Sequence, residues 1–290
     1  MTIPDIRNRF KIEDCHASGG MVMKRLMFIL VAAAGLAVAA VPQEDGEYRR
    51  GGSVKDFDNL FPQTQQKNEF TFVRLIYNGR IQSWLYPNVK NWYTDYPKGD
   101  AQLVRVYQRL LRTDVAPESR ALPILHPDLP NYPFVYSSEA GQMILTPEEA
   151  KRMREYVEHG GFWMIDDFWG SYEWKGFEEE IGKVFPDEKI VDIPLDHPIF
   201  HSLFNIDRLV QVPHGGWPDR YDNPATFEQD GDIPYARGIF DKNGRLAVFI
   251  NWNTDLMDGS EMSDNPRFPE HFSTHSYKIF MNAHAYALTH

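Results

Sequence analysis

From Phe70 onward, short apolar runs alternate with segments whose apolar residues recur every three or four positions. That alternation of strand-like and helix-like periods predicts an α/β domain with a largely parallel sheet. The run FTFVRLIY at 70–77 reads as a strand, and residues 122–125 and 134–136 read as short buried strands bounded by proline. Leu103, Val106, Tyr107, Leu110 and Leu111 share one face of a helix predicted over 101–112, with Asp100 as its expected cap. Thr146-Pro147-Glu148-Glu149 combines an N-cap threonine, proline at the first helical position and glutamate at the third. This capping box opens a helix that Gly160 should end. The apolar stretch FWMI at 162–165 is then a strand running into Asp166 and Asp167. Trp174, Phe177, Ile181, Val184 and Phe185 mark another helix, residues 189–193 a further strand, and residues 276–288 a closing helix. Asn243-Gly244 between two apolar runs predicts a hairpin.

The N-terminal segment has a different pattern. Lys24 and Arg25 precede an apolar run over 26–41, and Ala37-Val38-Ala39 supplies the small residues a signal peptidase requires. The run is shorter than the roughly 20 apolar residues of a membrane-spanning helix, so a secretory signal is expected. The alternative is an uncleaved signal that anchors the chain to the inner membrane. Residues 1–20 are polar and do not fit a signal, which makes Met21 or Met23 a more natural start. The expected organisation is therefore an N-terminal extension plus signal peptide over 1–40, a polar linker over 41–67, and one α/β domain over 68–290. The expected location is periplasmic or extracellular.

Composition narrows the chemistry. Cys15 is the one cysteine and lies ahead of the signal, so the exported part would have no disulfide, thiol nucleophile or Cys-ligated metal. With five of the 30 Lys/Arg and three of the 41 Asp/Glu in residues 1–40, the rest carries 25 basic and 38 acidic residues, a net charge of −13. Such a surface does not suit nucleic acid, whose phosphates require basic groups. The chain has no G-x-S-x-G elbow, no phosphate-binding P-loop and no G-x-G-x-x-G fingerprint.

Candidate sites follow from the fold class, because ligands of open parallel sheets bind beyond the carboxyl ends of the strands. The residues placed there are Asn78 and Gly79, then Ser137, Ser138 and Glu139, then Asp166 and Asp167 with Trp169 nearby, then Asn251, Asn253, Thr254 and Asp255. Adjacent carboxylates at a strand end suit a hard cation or acid–base work. The alternative is that one caps the next element and the other is solvated. His197 and His201 have the four-residue spacing of a helical zinc pair, and with Asp166 and Asp167 they form a candidate metal set. Pro198 between them favours a capped turn with Ile199, Phe200, Leu203 and Phe204 packed inward, and His214, His271, His275 and His284 are further candidates to complete a site. Trp84, Trp92, Tyr93, Trp217 and Trp252 in loops, and Trp163, Trp169, Tyr172 and Trp174 near the aspartates, form either a ligand floor or core filling.

The segments RLIYNGR, NWYTDYP, DLPNYPFVY, GGFWMIDDF, VFPDEKIVDIPLDHPIFHSLF and NAHAYAL, in that order, resemble a bacterial family known as domain of unknown function four-one-five-nine. The resemblance covers about residues 68–290. It implies an exported or membrane-associated three-layer α/β/α sandwich with a mainly parallel sheet, similar in fold to class I glutamine amidotransferases and flavodoxin-like proteins. It supplies no activity, cofactor or site residue. Amidotransferases use a cysteine at a strand–helix elbow, and if the elbow here is Tyr136-Ser137-Ser138, the thiol is missing or replaced by serine. Two readings follow. The first is a non-catalytic module that binds a glycan, a peptide or a partner protein; the second is a metal-assisted hydrolase built on Asp166 and Asp167. N-terminal sequencing of the native protein is expected to begin near Ala40 or Val41, and Met1 or Thr2 there would refute the signal.

Overall fold

The computed structural model describes residues 70–80, 91–111, 113–216 and 225–290, all within the compact unit Gly52–His290. The signal, its cleavage site, the linker, Cys15, Trp84 and Trp217 lie outside the described residues. Among the described residues, nine strands alternate with five α-helices. In chain order they are β1 (Val73–Ile76), β2 (Asn78–Gly79), α1 (Lys98–Leu110), β3 (Arg120–Pro123), β4 (Phe134–Ser137), β5 (Met143–Ile144), α2 (Pro147–Glu158), β6 (Phe162–Ile165), α3 (Gly170–Val184), β7 (Val191–Asp192), β8 (Tyr235–Phe240), β9 (Leu246–Trp252), α4 (Leu256–Glu261) and α5 (Glu270–Thr289). Seven strands form one sheet in the order β3-β1-β4-β6-β9-β8-β7. The first five are parallel; β8 pairs antiparallel with β9, and β7 antiparallel with β8. This is the α/β class with a mostly parallel sheet that the alternation predicts. Among the described residues no helix is long and apolar enough to cross a membrane.

Strands covered on both faces need apolar residues at every position rather than at alternate ones. β1, β4 and β6 are buried along their whole length. The helices α1, α4 and α5 pack on one another, and α2 packs on α3. Phe72, Phe134, Tyr136, Phe162, Met164 and Phe249 of the sheet side share one buried core with Leu103 and Tyr107 of α1 and Phe280 of α5. Each such side chain contributes about 1.5–3 kcal/mol by leaving water. The Tyr107 hydroxyl also donates to the Phe280 carbonyl at 2.9 Å, tying α1 to α5.

Local signals explain most boundaries. At α2 the Thr146 hydroxyl accepts from Glu149 N and the Glu149 carboxylate accepts from Thr146 N, the reciprocal capping box the sequence predicts. Gly160, at φ 98°, takes the left-handed conformation that turns the chain from α2 into β6. The β8–β9 hairpin closes as expected, with the Asp241 carboxylate accepting from Asn243 N and Arg245 N.

Several expectations shift. The strand read at 122–125 lies at Arg120–Pro123, on the sheet edge, where a proline lacking N–H is tolerated. The strand read at 189–193 is reduced to Val191–Asp192, and the closing helix begins earlier, at Glu270. Leu203 is exposed rather than packed inward. Asp100 does not cap α1, which starts at Lys98 behind Pro97. Its carboxylate instead meets Arg74, fully buried in the middle of β1: Arg74 Nη2 lies 2.6 Å and Nε 3.1 Å from Asp100 Oδ1. Arg74 Nη1 donates to the carbonyls of Trp92 (3.1 Å) and Thr94 (2.9 Å), and the guanidinium lies 4.9 Å from the Tyr136 ring. Burial, the largest single influence, would lower the Arg74 pKa; the charge and hydrogen bond of Asp100, with Tyr136 and Asp95, together outweigh it and hold the group above its usual value.

His284 on α5 is buried with no partner for either ring nitrogen, 3.9 Å from the Phe70 ring and 5.1 Å from that of Tyr107. It therefore fills the core and completes no metal site. Burial pushes its pKa down to about 4.

Two stability measurements follow. Urea denaturation of Arg74→Met should show a loss of about 3–5 kcal/mol, because Asp100 is left charged and buried, and R74M/D100L should recover most of it. A single variant as stable as the wild type would remove the pair from the account of the fold. His284→Leu should leave stability unchanged or raise it by about 1 kcal/mol, since it removes unsatisfied buried nitrogens. A folded pKa below the free value of 6.5 means that the histidine's contribution is intact above that pH and is lost as pH falls toward 4. The acid-side loss should accordingly be smaller in His284→Leu than in the wild type.

Candidate functional site

The strand order reverses at β1, with β3 on one side and β4 on the other. Parallel pairing places the carboxyl ends of β1, β4, β6 and β9 on a common rim, and the reversal opens a crevice there, the usual ligand position in such sheets. Five non-glycine residues among those described have a left-handed backbone, and four belong to loops at this rim: Asp95 (φ 65°), Glu139 (53°), Asp167 (57°) and Asn253 (61°). Conformations of this kind cost of order 1–3 kcal/mol each and concentrate at functional sites.

At the end of β4, Ser137 turns inward and its hydroxyl accepts from the Trp163 indole at 3.0 Å. The Ser138 hydroxyl donates to Asp167 Oδ2 at 3.2 Å, and its carbonyl accepts from the Tyr77 hydroxyl. Thr94 reaches the Glu139 carboxylate at 3.4 Å. After β6, Asp166 is fully enclosed: Oδ2 accepts from Tyr136 (3.3 Å) and from Met257 N at the start of α4 (3.1 Å), while Oδ1 has no partner. Asp167 Oδ1 accepts from the Trp169 indole at 3.2 Å. After β9, Asn253 is spent on loop structure, accepting from Gly170 N and donating to the Ile233 carbonyl. Asp255 Oδ1 caps α4 by accepting from Asp258 N at 2.7 Å.

The rim thus joins Ser138, Glu139, Asp166, Asp167, Trp169 and Asp255, and adds three acids that sequence reasoning missed. Single oxygens of Asp95, Asp167 and Asp255 all lie within 4.8 Å of one another, and so do those of Asp95, Asp258 and Glu261. Asp258 Oδ2 accepts from Gly215 N. Asp95 Oδ2 is closed off from solvent and has no hydrogen-bond partner. The three-residue spacing of Asp255, Asp258 and Glu261, which sets all three on one flank of a short helix, was a readable signal. Asp95 had none: its position depends on Arg74, 21 residues earlier in the chain, which holds the Trp92 and Thr94 carbonyls.

Crowded carboxylates without water or counter-charge hold their protons. Burial first, then the charges of Asp258 and Asp167, lift the Asp95 pKa. Burial, Glu139 and Asp166 raise that of Asp167 well above the usual range, and burial and Asp167 do the same to Asp255. Burial pushes Asp166 up to about 8. Burial with Glu173 and Glu228 pushes Glu139 to about 8, and burial with Asp258 brings Glu261 to about 7.

The histidines lie elsewhere. His197 Nδ1 accepts from Ile199 N and caps the single 3-10 turn Pro198–Phe200, as the proline favours. Its ring packs against Phe240 (5.7 Å) and Tyr286 (5.6 Å), and Tyr286 packs on Phe162. Phe162 opens β6, whereas Asp166 and Asp167 follow its other end. His201 bonds Asn205 and the Leu195 carbonyl. The set Asp166, Asp167, His197 and His201 is therefore not assembled, because Pro198 starts one tight turn instead of a helix that would align the two rings. His275 accepts from Val210 N, His214 from Gly216 N, and His271 lies against the Phe272 ring. The aromatic surface is also committed. Trp174, Tyr235 and Trp252 surround the Arg237 guanidinium at 4.4, 4.6 and 4.7 Å, and Arg237 pairs with Asp192 at 2.8 Å. Trp92 and Trp163 are buried, and Tyr172 is exposed.

No curated protein matches the chain. A family model matches residues 71–288, a span that contains every carboxylate of the rim, and the chain belongs to the family described as Domain of unknown function (DUF4159).

Proposed function

We propose that the domain is a ligand-binding module that works with a hard divalent cation held at the strand ends by Asp95, Asp167 and Asp255. The observation that carries this reading is the convergence of three carboxylate oxygens within 4.8 Å, one of them from a residue whose other contacts leave Oδ2 unpartnered. Ligand oxygens on opposite sides of a calcium ion lie about 4.6–5.2 Å apart, and those on adjacent positions lie closer. A set made only of oxygens favours calcium, magnesium or manganese over the softer metals. A cation also supplies the charge that these acids lack, since the nearby Arg74 is engaged by Asp100.

The three-layer, amidotransferase-like arrangement and export from the cytoplasm belong to the same proposal. In its support, a left-handed residue follows β4 directly after Tyr136-Ser137-Ser138, the turn that would be that fold's nucleophile elbow. The residue is Glu139, one position beyond the serine pair, and a carboxylate there does not perform thiol chemistry. Binding is accordingly ranked ahead of acyl transfer. One observation favours hydrolysis as a second reading: Glu139, with a pKa of about 8, keeps a proton at neutral pH beside Asp167 and is a candidate acid. Metal-dependent turnover of an ester or phosphoester by the wild type but not by Glu139→Gln would promote that reading.

The test is the melting temperature of the full chain against pH, with chelator and with millimolar calcium or magnesium. Glu139 and Asp166 ionise near pH 8 when folded and about pH 4 when unfolded, so the folded state holds the extra protons between those values. Without cation, stability falls as pH rises through this window. His275 and His284 titrate below about 6.5 and act in the opposite direction, so pH of about 7 to 9 isolates the carboxylates. Added cation should raise the melting temperature, more so at higher pH, and Asp167→Asn should reduce the increment. The absence of any cation effect across that range would refute the reading.

A further inference from the structure

The geometry points to two cation positions rather than one. We infer that an inner cation on Asp95, Asp167 and Asp255 is joined by an outer cation on Asp95, Asp258 and Glu261, with Asp95 bridging both. The inference rests on the reading above for its inner position and adds a second ligand set to it.

Three observations carry it. First, the oxygens of each triad lie within 4.8 Å of one another, and the triads have only Asp95 in common. A carboxylate has two oxygens and bridges two cations without moving. Asp95 is suited to this because its Oδ2 is sealed from water and bonded to nothing. Arg74 also fixes its loop through the carbonyls of Trp92 and Thr94.

Second, α4 divides its acids between the positions. Asp255 spends Oδ1 on Asp258 N, and Asp258 spends Oδ2 on Gly215 N. Asp258 also shares side-chain hydrogen bonds with Asp255 and Glu261, contacts that a cation would replace, and the three acids lie along one flank of α4, from its cap to its last residue.

Third, charge favours a pair. The two triads comprise five carboxylates, so once all are ionised one divalent cation would leave three negative charges, while two would leave one. Lys98 is 3.0 Å from Asp264, and its charge, which also acts on Glu261, is shared between the two. The outer position is also the more accessible one. Asp167 and Asp255 are buried, whereas Glu261 is partly exposed. Hard cations take six to eight oxygens, so three protein ligands leave positions at the outer cation for ligand oxygens.

The experiment is a cation count on the full chain by equilibrium dialysis against calcium, repeated with manganese and read by electron paramagnetic resonance. The wild type should bind two equivalents, and the two manganese ions should give a spin-coupled spectrum. Glu261→Gln, at a partly exposed position, should lose one equivalent and the coupling while staying folded in chelator, with a melting temperature no lower than the wild type's. Asp95→Asn should weaken both equivalents. One equivalent in the wild type, unchanged in Glu261→Gln, would overturn the outer position and leave the inner one standing. No binding at all would overturn both. Two equivalents that survive Glu261→Gln, or two without spin coupling, would place the second cation elsewhere and also overturn the pair. Should Asp95→Asn fail to fold, Glu261→Gln alone decides.

Discussion

A guanidinium buried at the centre of a parallel strand constrains everything around it. Arg74 cannot lose its charge, and an unpaired charge in a protein interior costs several kcal/mol. The chain therefore has to deliver acceptors to it. Asp100 arrives from the first turn of α1, Trp92 and Thr94 present their carbonyls, and Tyr136 offers the face of its ring. The consequence is geometric: α1 is registered against β1, and the loop before α1 is drawn over the strand end. Asp95 lies in that loop, directly after Thr94. A buried ion pair adds little net stability beside a well-packed apolar alternative, but it fixes geometry, and here it fixes the residue on which both carboxylate triads depend.

The rim is expensive to build. Asp95, Glu139, Asp167 and Asn253 all carry left-handed backbone, and the acids among them are pressed together away from water. Hydrophobic packing behind them offsets this. β4 and β6 are buried from end to end, and α1, α4 and α5 close over one face of apolar side chains. A rigid core thus ends abruptly in a strained polar edge. Asp166 shows the division between support and site. It follows the same strand as Asp167, yet it is turned back to the α4 N-terminus through Met257 N, while Asp167 faces the cluster.

Periodicity and capping made most of the fold legible. The capping box at Thr146, the Gly160 exit and the Asn243-Gly244 hairpin each depend on a few adjacent residues, so their physics is local and visible in the chain. The strand ends were legible for the same reason, since a run such as FWMI followed by two aspartates announces where it stops. What failed was contact at a distance. Asp100 looked like a cap because a carboxylate near a helix start usually is one, and nothing local reveals a guanidinium across the core. Nothing local marks Asp95 either. The pairing of His197 with His201 failed conversely: four-residue spacing means proximity only on a helix, and Pro198 had already limited the segment to one turn. The spacing of Asp255, Asp258 and Glu261 shows what a purely local reading could still have found.

A cation that binds only the folded chain stabilises it by mass action, about 2.7 kcal/mol at a hundredfold excess over its dissociation constant. That energy is useful structurally and carries no information about ligand. The two positions differ in this respect. At the inner one, Asp167 is held by Ser138 and the Trp169 indole, and Asp255 is tied into its own helix, so a cation there would lock β4, β6 and α4 together. At the outer one, Glu261 is bounded by solvent on one side, and a cation there would face outward with unfilled coordination. Shared through Asp95, the first makes the second rigid. A ligand then meets a preorganised charge rather than a flexible acidic patch, and loses less entropy on binding than it would on a surface that had to order first.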